Sequence, residues 1–358
     1  MMLVFDNIVY SLQGSGGISR FWSRLTEPYL ESATFIERPN ATDNLYRRTR
    51  HPARILPDHG VFKTLSRYMN FRMRFAEGRH VFHSSYYRLN KAAGAANVTT
   101  IHDLIYERFG SGLGSRLHIA QKRQALTAAD CIVCVSEHTR KDLFEYYPFT
   151  REKRVLVIPN GVDPAPAVPP GALVGPAVQT AADAGEYFLY VGHRGGCKGF
   201  GRVYQALRLC GPRWRCIVVG SALEDRVRAD IAAADLTDRV VPVGRVSDAE
   251  LNFLYGRASF FFFPSLYEGF GIPPLEAMQQ GCPVLASNRS SVPEVVGNAG
   301  VLFDPDDAAS LERGLAEILL PATRERLVAQ GRQRAAAFSW SAAVDQYRGL
   351  YAALLDNH

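Results

Sequence analysis

Two glutamates eight positions apart, Glu268 and Glu276, enclose Gly-Phe-Gly-Ile-Pro-Pro-Leu, and no other stretch of the sequence concentrates so much chemistry. Gly269 and Gly271 free backbone amides to face a ligand. Pro273 and Pro274 stop strand pairing and can open a helix over PLEAMQQ, because proline is tolerated in a first turn. Glu268 is then expected in a loop and Glu276 in the first helical turns, so that two carboxylates reach one ligand from different backbone elements. A carboxylate is the usual partner for vicinal hydroxyls such as those of ribose. A second constellation, Gly192-His-Arg194-Gly-Gly-Cys-Lys198-Gly, puts two cations four residues apart in a glycine-rich loop. Arg can take two phosphate oxygens at once and Lys acts as a point charge, which suits a diphosphate.

Two more groups lie where strands are expected to end. In Gly14-Ser-Gly-Gly-Ile-Ser-Arg20, glycines allow close backbone approach, and a helix beginning near Ser19 would offer N–H groups to an anion. The motif is neither a Walker loop nor a clean GxGxxG. His102-Asp103 follows the apolar run VTTI, and a histidine there suits proton handling or a hydrogen bond to a sugar hydroxyl. Plainer readings stand beside each: glycine turns are common, exposed loops carry cations, and a strand-end histidine is often structural.

These groups need strands to position them. Short apolar runs recur with helical stretches between, the pattern of a parallel sheet with crossover helices. In the first half strands are expected at 3–10, 80–85, 98–106, 131–136 and 154–161. In the second they are expected at 186–192, 215–221, 239–246, 258–265, 282–288 and 299–305, with helices at 200–210, 222–234, 248–256, 274–280 and 307–319. The later runs are almost continuously apolar, as strands covered on both faces are. Residues 163–185, rich in Pro, Ala and Gly, read as a linker. The expected organisation is an α/β chain of two doubly wound Rossmann-like domains facing across a cleft. One spans 1–165, a linker 166–185, the second 186–340, and a C-terminal helix 341–358 could cross back to the first. Ligands in such sheets bind beyond the carboxyl ends of the strands.

Composition sets outer bounds. At 358 residues, 47% hydrophobic and 21% charged, the chain has material for two globular cores. No apolar run approaches the roughly 20 residues that cross a bilayer, and the N-terminus reads as a strand rather than a signal peptide, so a cytoplasmic location is expected. Cys131 and Cys134 form a CxxC inside a strand-like run with no second Cys/His pair at zinc spacing, which favours packing over metal binding. Residues 1–163 carry 23 Lys/Arg against 15 Asp/Glu and the remainder 18 against 20, so the basic excess is confined to the first half. Nine of those cations lie between Arg47 and Arg79. They read either as a solvated face or as a peripheral contact with anionic lipid on the inner face of a membrane, or with an acidic acceptor. No nucleic-acid motif accompanies them.

The motifs together resemble the retaining GT-B glycosyltransferases of family 4, also called glycosyl transferases group 1. YVGHRGGCKGF is similar to that family's phosphate-binding segment, GRVSDAELNFLY to its base-binding loop, and the region from Pro264 to Asp307 to its C-terminal core. GGISRF, FHSSYYR, TIHDLIYERF, VSEHTRKDL and IPNGVD resemble a mannosyltransferase-like branch of lipopolysaccharide and polysaccharide assembly. The resemblance implies that Glu276 binds ribose hydroxyls. It has Glu268 hold a hydroxyl of the transferred sugar, with amides of Gly269, Phe270 and Gly271 and the neighbouring Ile272 and Leu275. Arg194 and Lys198 would neutralise the diphosphate, Gly16 and Gly17 complete its cradle, Arg245 and Val246 lie against the base, and His102 sit on the acceptor side. Members of the branch often carry Asn where this chain has Gly199.

On this reading the partners are a nucleotide-sugar donor, GDP-mannose or a GDP-deoxysugar before a UDP-sugar, and a glycan or lipid-linked glycan acceptor. No cofactor and no metal are expected, and the anomeric configuration is retained. Two other classes remain in view: a sugar-nucleotide epimerase of the same architecture and a membrane-associated binding protein without turnover. A nicotinamide oxidoreductase is disfavoured, because neither half offers a clean GxGxxG with an acid about 20 residues on.

Overall fold

The computed structural model describes residues 2–58, 66–75, 78–164 and 174–356. The chain divides into two compact units, residues 1–161 with 340–358, and residues 162–339. In the first, β1 (Leu3–Asp6), β2 (Thr34–Glu37), β3 (Ile55–Pro57), β4 (His80–Ser84), β5 (Ala95–Ile101), β6 (Cys131–Cys134) and β7 (Val155–Val157) form a parallel sheet in the order β3-β2-β1-β4-β5-β6-β7. In the second, β8 (Tyr187–Val191), β9 (Arg215–Val219), β10 (Val240–Gly244), β11 (Phe260–Phe263), β12 (Val284–Ser287) and β13 (Val301–Phe303) are also parallel, in the order β10-β9-β8-β11-β12-β13. Each sheet reverses direction once, between β1 and β4 and between β8 and β11. In doubly wound folds the crevice at that reversal is where ligands bind.

The apolar runs explain the strands. Phe260 to Phe263 are all buried, and Phe188 stacks on Phe260 at 5.1 Å while Phe262 stacks on Phe303 at 5.5 Å. Such a run has no polar face to offer water, so helices must cover it on both sides.

Three expectations change. The first strand ends at Asp6 rather than residue 10, and Ile8–Leu12 turns into a short helix. Asn7 causes the break: its amide donates to Glu37 Oε1 at 2.5 Å, and its carbonyl oxygen accepts from Trp22 Nε1 at 2.5 Å. β2 and β3 went unread because β2 is four residues long and β3 is three, with Pro57 at its end. The expected linker contains a helix, Pro176–Asp183, that buries Val178, Ala181 and Ala182. That is an i, i+3, i+4 face built mostly from alanine, which reads equally as linker composition. Residues 165–173 of the linker lie outside the described residues.

The helix Trp340–Asp356 belongs to the first unit. Its Tyr351 hydroxyl lies 2.7 Å from His83 Nδ1, Thr100 Oγ1 lies 3.0 Å from His83 Nε2, and the Tyr347 hydroxyl is 3.1 Å from the same Thr100 oxygen. Burial, with a smaller contribution from His102, pushes the His83 imidazole down to about 3, and burial with Lys122 and Arg67 does the same to His118. Below the ordinary histidine value the unfolded chain takes up protons that the folded unit refuses, so stability falls as pH falls. At about pH 5 the charge for His83 alone is on the order of 2 kcal/mol. The thermal midpoint should therefore drop steadily between neutral pH and about pH 5, and His83→Gln should flatten that slope.

Candidate functional site

The loops that follow the two reversal strands of the second unit meet. Lys198, in the loop after β8, donates to both carboxylate oxygens of Glu268, in the loop after β11, at 2.7 and 2.8 Å. The lysine side chain is 34% exposed and the glutamate 12%, so the cation stands on the open side of the pair. Leu266 N donates to Cys197 O at 2.7 Å and locks the loops in register. Gly199 makes this approach possible. It has φ +67°, and a Cβ there would lie 2.1 Å from the carbonyl oxygen of Pro264. An asparagine could adopt that backbone conformation but not that proximity, so this chain sets the loop closer to β11 than an Asn would allow.

Arg194 is placed differently from the expectation that both cations face a diphosphate. It is 8% exposed. Its Nη1 donates to Gly192 O at 3.1 Å, and its Nη2 reaches Ser221 O, Ser221 Oγ and Ala222 O. The guanidinium thus ties the loop after β8 to the loop after β9 and holds its charge behind them. Gly220 leaves it room, since a Cβ there would meet Arg194 Nη1 at 2.7 Å.

The Glu268 loop is held by serines that sequence reasoning passed over. Ser290 Oγ accepts from Glu268 N at 2.9 Å, and Ser291 Oγ lies 2.9 Å from Glu268 O and 2.8 Å from Phe270 O. Ser287 Oγ donates to Ser265 O. The signal was present in SNRSS, a serine cluster starting at the end of β12, the strand beside β11. Gly271, at φ +99°, ends the loop and caps the helix Ile272–Gln279, which carries Glu276 on a half-buried face. Two members of the expected donor set face inward. The Leu275 side chain is fully buried and Phe270 packs edge-on against Phe338 at 5.6 Å, so both side chains are part of the packing beneath the loop. Ile272 is half-buried, and Gly269 is buried. Exposed Arg245 and half-buried Val246 follow β10. They lead into the helix Asp248–Arg257, fixed by a Ser247–Glu250 capping box. Hydrogen bonds, first from the Ser247 backbone, hold the Glu250 carboxyl below its ordinary value.

In the first unit, His102 follows β5 and packs edge-to-face on Phe21 at 4.7 Å. Phe21 belongs to the helix Gly17–Thr26, capped by Gly16, so the glycine turn and His102 are carried by touching elements. Burial, then the Lys122 charge, pushes the His102 imidazole down to about 4. It is neutral near pH 7 and suited to hydrogen bonding.

Cys131 and Cys134 are fully buried in β6, and residues three apart on a strand face opposite sides, so they cannot share a metal. Of the basic stretch, Arg47 is buried against Glu37 at 2.7 Å, Arg50 donates to Tyr46 O, Arg67 to Tyr86 Oη and Arg79 to Leu354 O. Arg48, Arg54, Arg72 and Arg74 are exposed, and Lys63 lies outside the described residues.

A family model described as Glycosyl transferases group 1 matches residues 176–334, and one described as Glycosyltransferase Family 4 matches residues 26–166. The chain is 32% identical over 266 residues to the O-antigen chain mannosyltransferase B of Escherichia coli, covering 71% of this chain and 69% of that protein. This chain belongs to glycosyltransferase family 4. The glycosyltransferase is also 34% identical over 156 residues to the GDP-mannose:cellobiosyl-diphosphopolyprenol alpha-mannosyltransferase of Komagataeibacter xylinus, over 42% of this chain and 40% of that one. Sucrose-phosphate synthase from Thermosynechococcus elongatus shares the GT-B fold, with a TM-score of 0.72 at 22% identity over 99% of this chain and all of that one. Among the described residues no helix is long and apolar enough to cross a membrane.

Proposed function

We propose that this glycosyltransferase moves mannose from GDP-mannose to a hydroxyl of a glycan or lipid-linked glycan, with retention at the anomeric carbon and without a metal. The observation that carries the reading is the Lys198–Glu268 pair at the β8/β11 reversal, where a doubly wound sheet binds its ligand. The names of the Escherichia coli and Komagataeibacter relatives support the sugar and the base.

In the proposed reaction the C1–O bond to the diphosphate breaks as an acceptor oxygen bonds to C1. The acceptor proton passes to the departing phosphate oxygen. Negative charge grows on the leaving group, and Lys198, the less buried of the two cations, meets it. Arg194, fixed behind the loop, contributes its field and keeps the loop in shape. Preorganised charges of this kind lower a barrier because they need no reorganisation during the reaction. Glu268 takes a sugar hydroxyl and Glu276 the ribose hydroxyls, with Arg245 and Val246 against the base. Amides of Gly269, Phe270 and Gly271 assist. The Gly16-Gly17 turn is assigned to phosphate, and neutral His102 to a hydroxyl on the acceptor side.

A thermal-shift series over GDP-, UDP-, TDP- and ADP-sugars tests the donor. A ligand that binds only the folded state raises the midpoint in proportion to the logarithm of its excess over Kd. GDP-mannose should give the largest shift, and turnover should survive EDTA. Release of GDP in the absence of any acceptor would instead support an epimerase-like reaction.

A further inference from the structure

Among the described residues two that are not glycine take a positive φ, Asp235 at +58° and Ser290 at +52°. Asp235 has an ordinary reason. It follows the helix Asp225–Ala233, its N–H donates to Ala232 O at 3.0 Å, and Leu236 N donates to Ile231 O at 3.1 Å, which is the left-handed close of a helix C-terminus. Aspartate also tolerates that conformation. Ser290 ends no helix. It lies between β12 and the helix Val292–Val296, where a glycine would take the same backbone without strain.

The surroundings of Ser290 hold it there. Asn288 N donates to Phe303 O at 2.8 Å, the Arg289 guanidinium pairs with Asp304 and Asp306 at 2.7 Å, and Ser291 Oγ donates to the carbonyls of Glu268 and Phe270. A sparsely populated backbone persists where its surroundings over-determine it, and such positions cluster at functional sites. What a serine supplies here and a glycine lacks is a hydroxyl, and Ser290 Oγ accepts from Glu268 N at 2.9 Å. Two adjacent serines thus hold the amide and the carbonyl of one residue, which fixes the direction in which the Glu268 side chain leaves the backbone. Lys198 holds the carboxylate as well. That cation, however, is the one a diphosphate draws on, whereas the serines act on the main chain.

We propose that Ser290 is a positioning residue for the sugar half of the donor: its hydroxyl keeps Glu268 aimed at a sugar hydroxyl, and the strained backbone is retained for that contact. The proposal rests on the role of Glu268 given above and adds that the carboxylate is aimed from the end of β12 rather than by its own loop.

Titration of the full chain with GDP and with GDP-mannose, beside thermal unfolding, tests this. Ser290→Gly and Ser290→Ala should each lower the preference for GDP-mannose over GDP at least about fivefold, with GDP affinity itself changed less than about threefold. Their stabilities should differ. Ser290→Gly relieves the left-handed backbone and Ser290→Ala keeps it, so the alanine variant should melt about 2 °C or more below the glycine variant. Donor preference then follows the hydroxyl while stability follows the backbone, a split that a merely structural serine does not produce. Added to Glu268→Gln, Ser290→Gly should lower the preference by less than about twofold more, because the charge that it aims has gone. An unchanged preference in Ser290→Gly beside a lowered one in Glu268→Gln would overturn the proposal, as would a glycine variant that melts below the alanine one. An unchanged preference in both would remove the reading of Glu268 and this proposal with it. If another sugar nucleotide gives the largest thermal shift, the donor assignment changes, and that nucleotide and its own diphosphate take the same test.

Discussion

Glu268→Gln should lower sugar transfer by about 10²–10³-fold while leaving nucleoside diphosphate affinity at or above the wild-type value. The substitution keeps the shape of the side chain and removes its charge. In the wild type that charge holds Lys198 through two hydrogen bonds at 2.7 and 2.8 Å, so a diphosphate must share the lysine with Glu268. Neutralising the glutamate frees the cation for the phosphate, and GDP should bind as well or better. The hydroxyl contact proposed between Glu268 and the sugar would weaken at the same time, and the loss should appear in kcat. Glu276→Gln should do the reverse, weakening GDP about tenfold or more, because a hydrogen bond to a charged group is worth about 1.5–3 kcal/mol. Titration with GDP and steady-state transfer on the same preparations separate the two. A Glu268 variant that loses GDP as Glu276→Gln does would remove the division of labour between them.

The expectation of paired glutamates around a glycine-proline turn was legible because the punctuation is local. Two glycines and two prolines dictate where the strand stops and the helix starts, whatever surrounds them. The strands of the second unit were legible because a run such as Phe260–Phe263 has only one place to go. The Lys198–Glu268 pair was not legible, although both residues had been singled out. Seventy positions separate them, and only the pairing of β8 beside β11 brings their loops together. Arg194 shows the same limit from the other side. Its residue type and its glycine-rich surroundings suit a phosphate, yet three carbonyls from two loops surround its guanidinium, and those carbonyls are visible only once β9 lies against β8. The basic stretch read either as a solvated face or as a contact with anionic lipid or an acidic acceptor, but its cations are divided between interior and surface by partners such as Glu37, Tyr86 and Leu354, which are distant in sequence.

Arg88→Met should cost about 3–5 kcal/mol in stability, more than any other single change considered for the first unit. Arg88 is 2% exposed, and its guanidinium spans two carboxylates. Nε donates to Asp6 Oδ2 at 2.8 Å and Nη2 to Asp6 Oδ1, while Nη1 donates to Asp58 Oδ2 at 2.9 Å. Ser84 Oγ also donates to Asp6 Oδ2 at 2.7 Å, and Arg38 Nε to Asp58 Oδ2 at 3.2 Å. Asp6 ends β1 and Ser84 ends β4, so the cluster ties together the two strands at which this sheet reverses. Methionine would fill much of the arginine volume against the Phe71 ring, which the guanidinium now faces at 4.4 Å. It would leave the Asp6 carboxylate fully buried with one hydroxyl for company, and that uncompensated charge is the source of the loss. The double variant Asp6→Asn/Arg88→Met should recover a substantial part of it, because the buried charge goes with its partner. The acid response adds an independent check. Burial pushes the Asp58 carboxyl up, but Arg88 and Arg38 outweigh it and hold the group below the ordinary value. A depressed carboxyl contributes stability above its unfolded value, near about pH 4, and loses it as pH falls through the lower folded value. Arg88→Met removes the stronger of the two cations, so its acid-side slope should be shallower than that of the wild type. Urea unfolding followed by far-ultraviolet circular dichroism gives both quantities. A loss below about 1 kcal/mol with an unchanged acid slope would show that the cluster is no stronger than a surface pair.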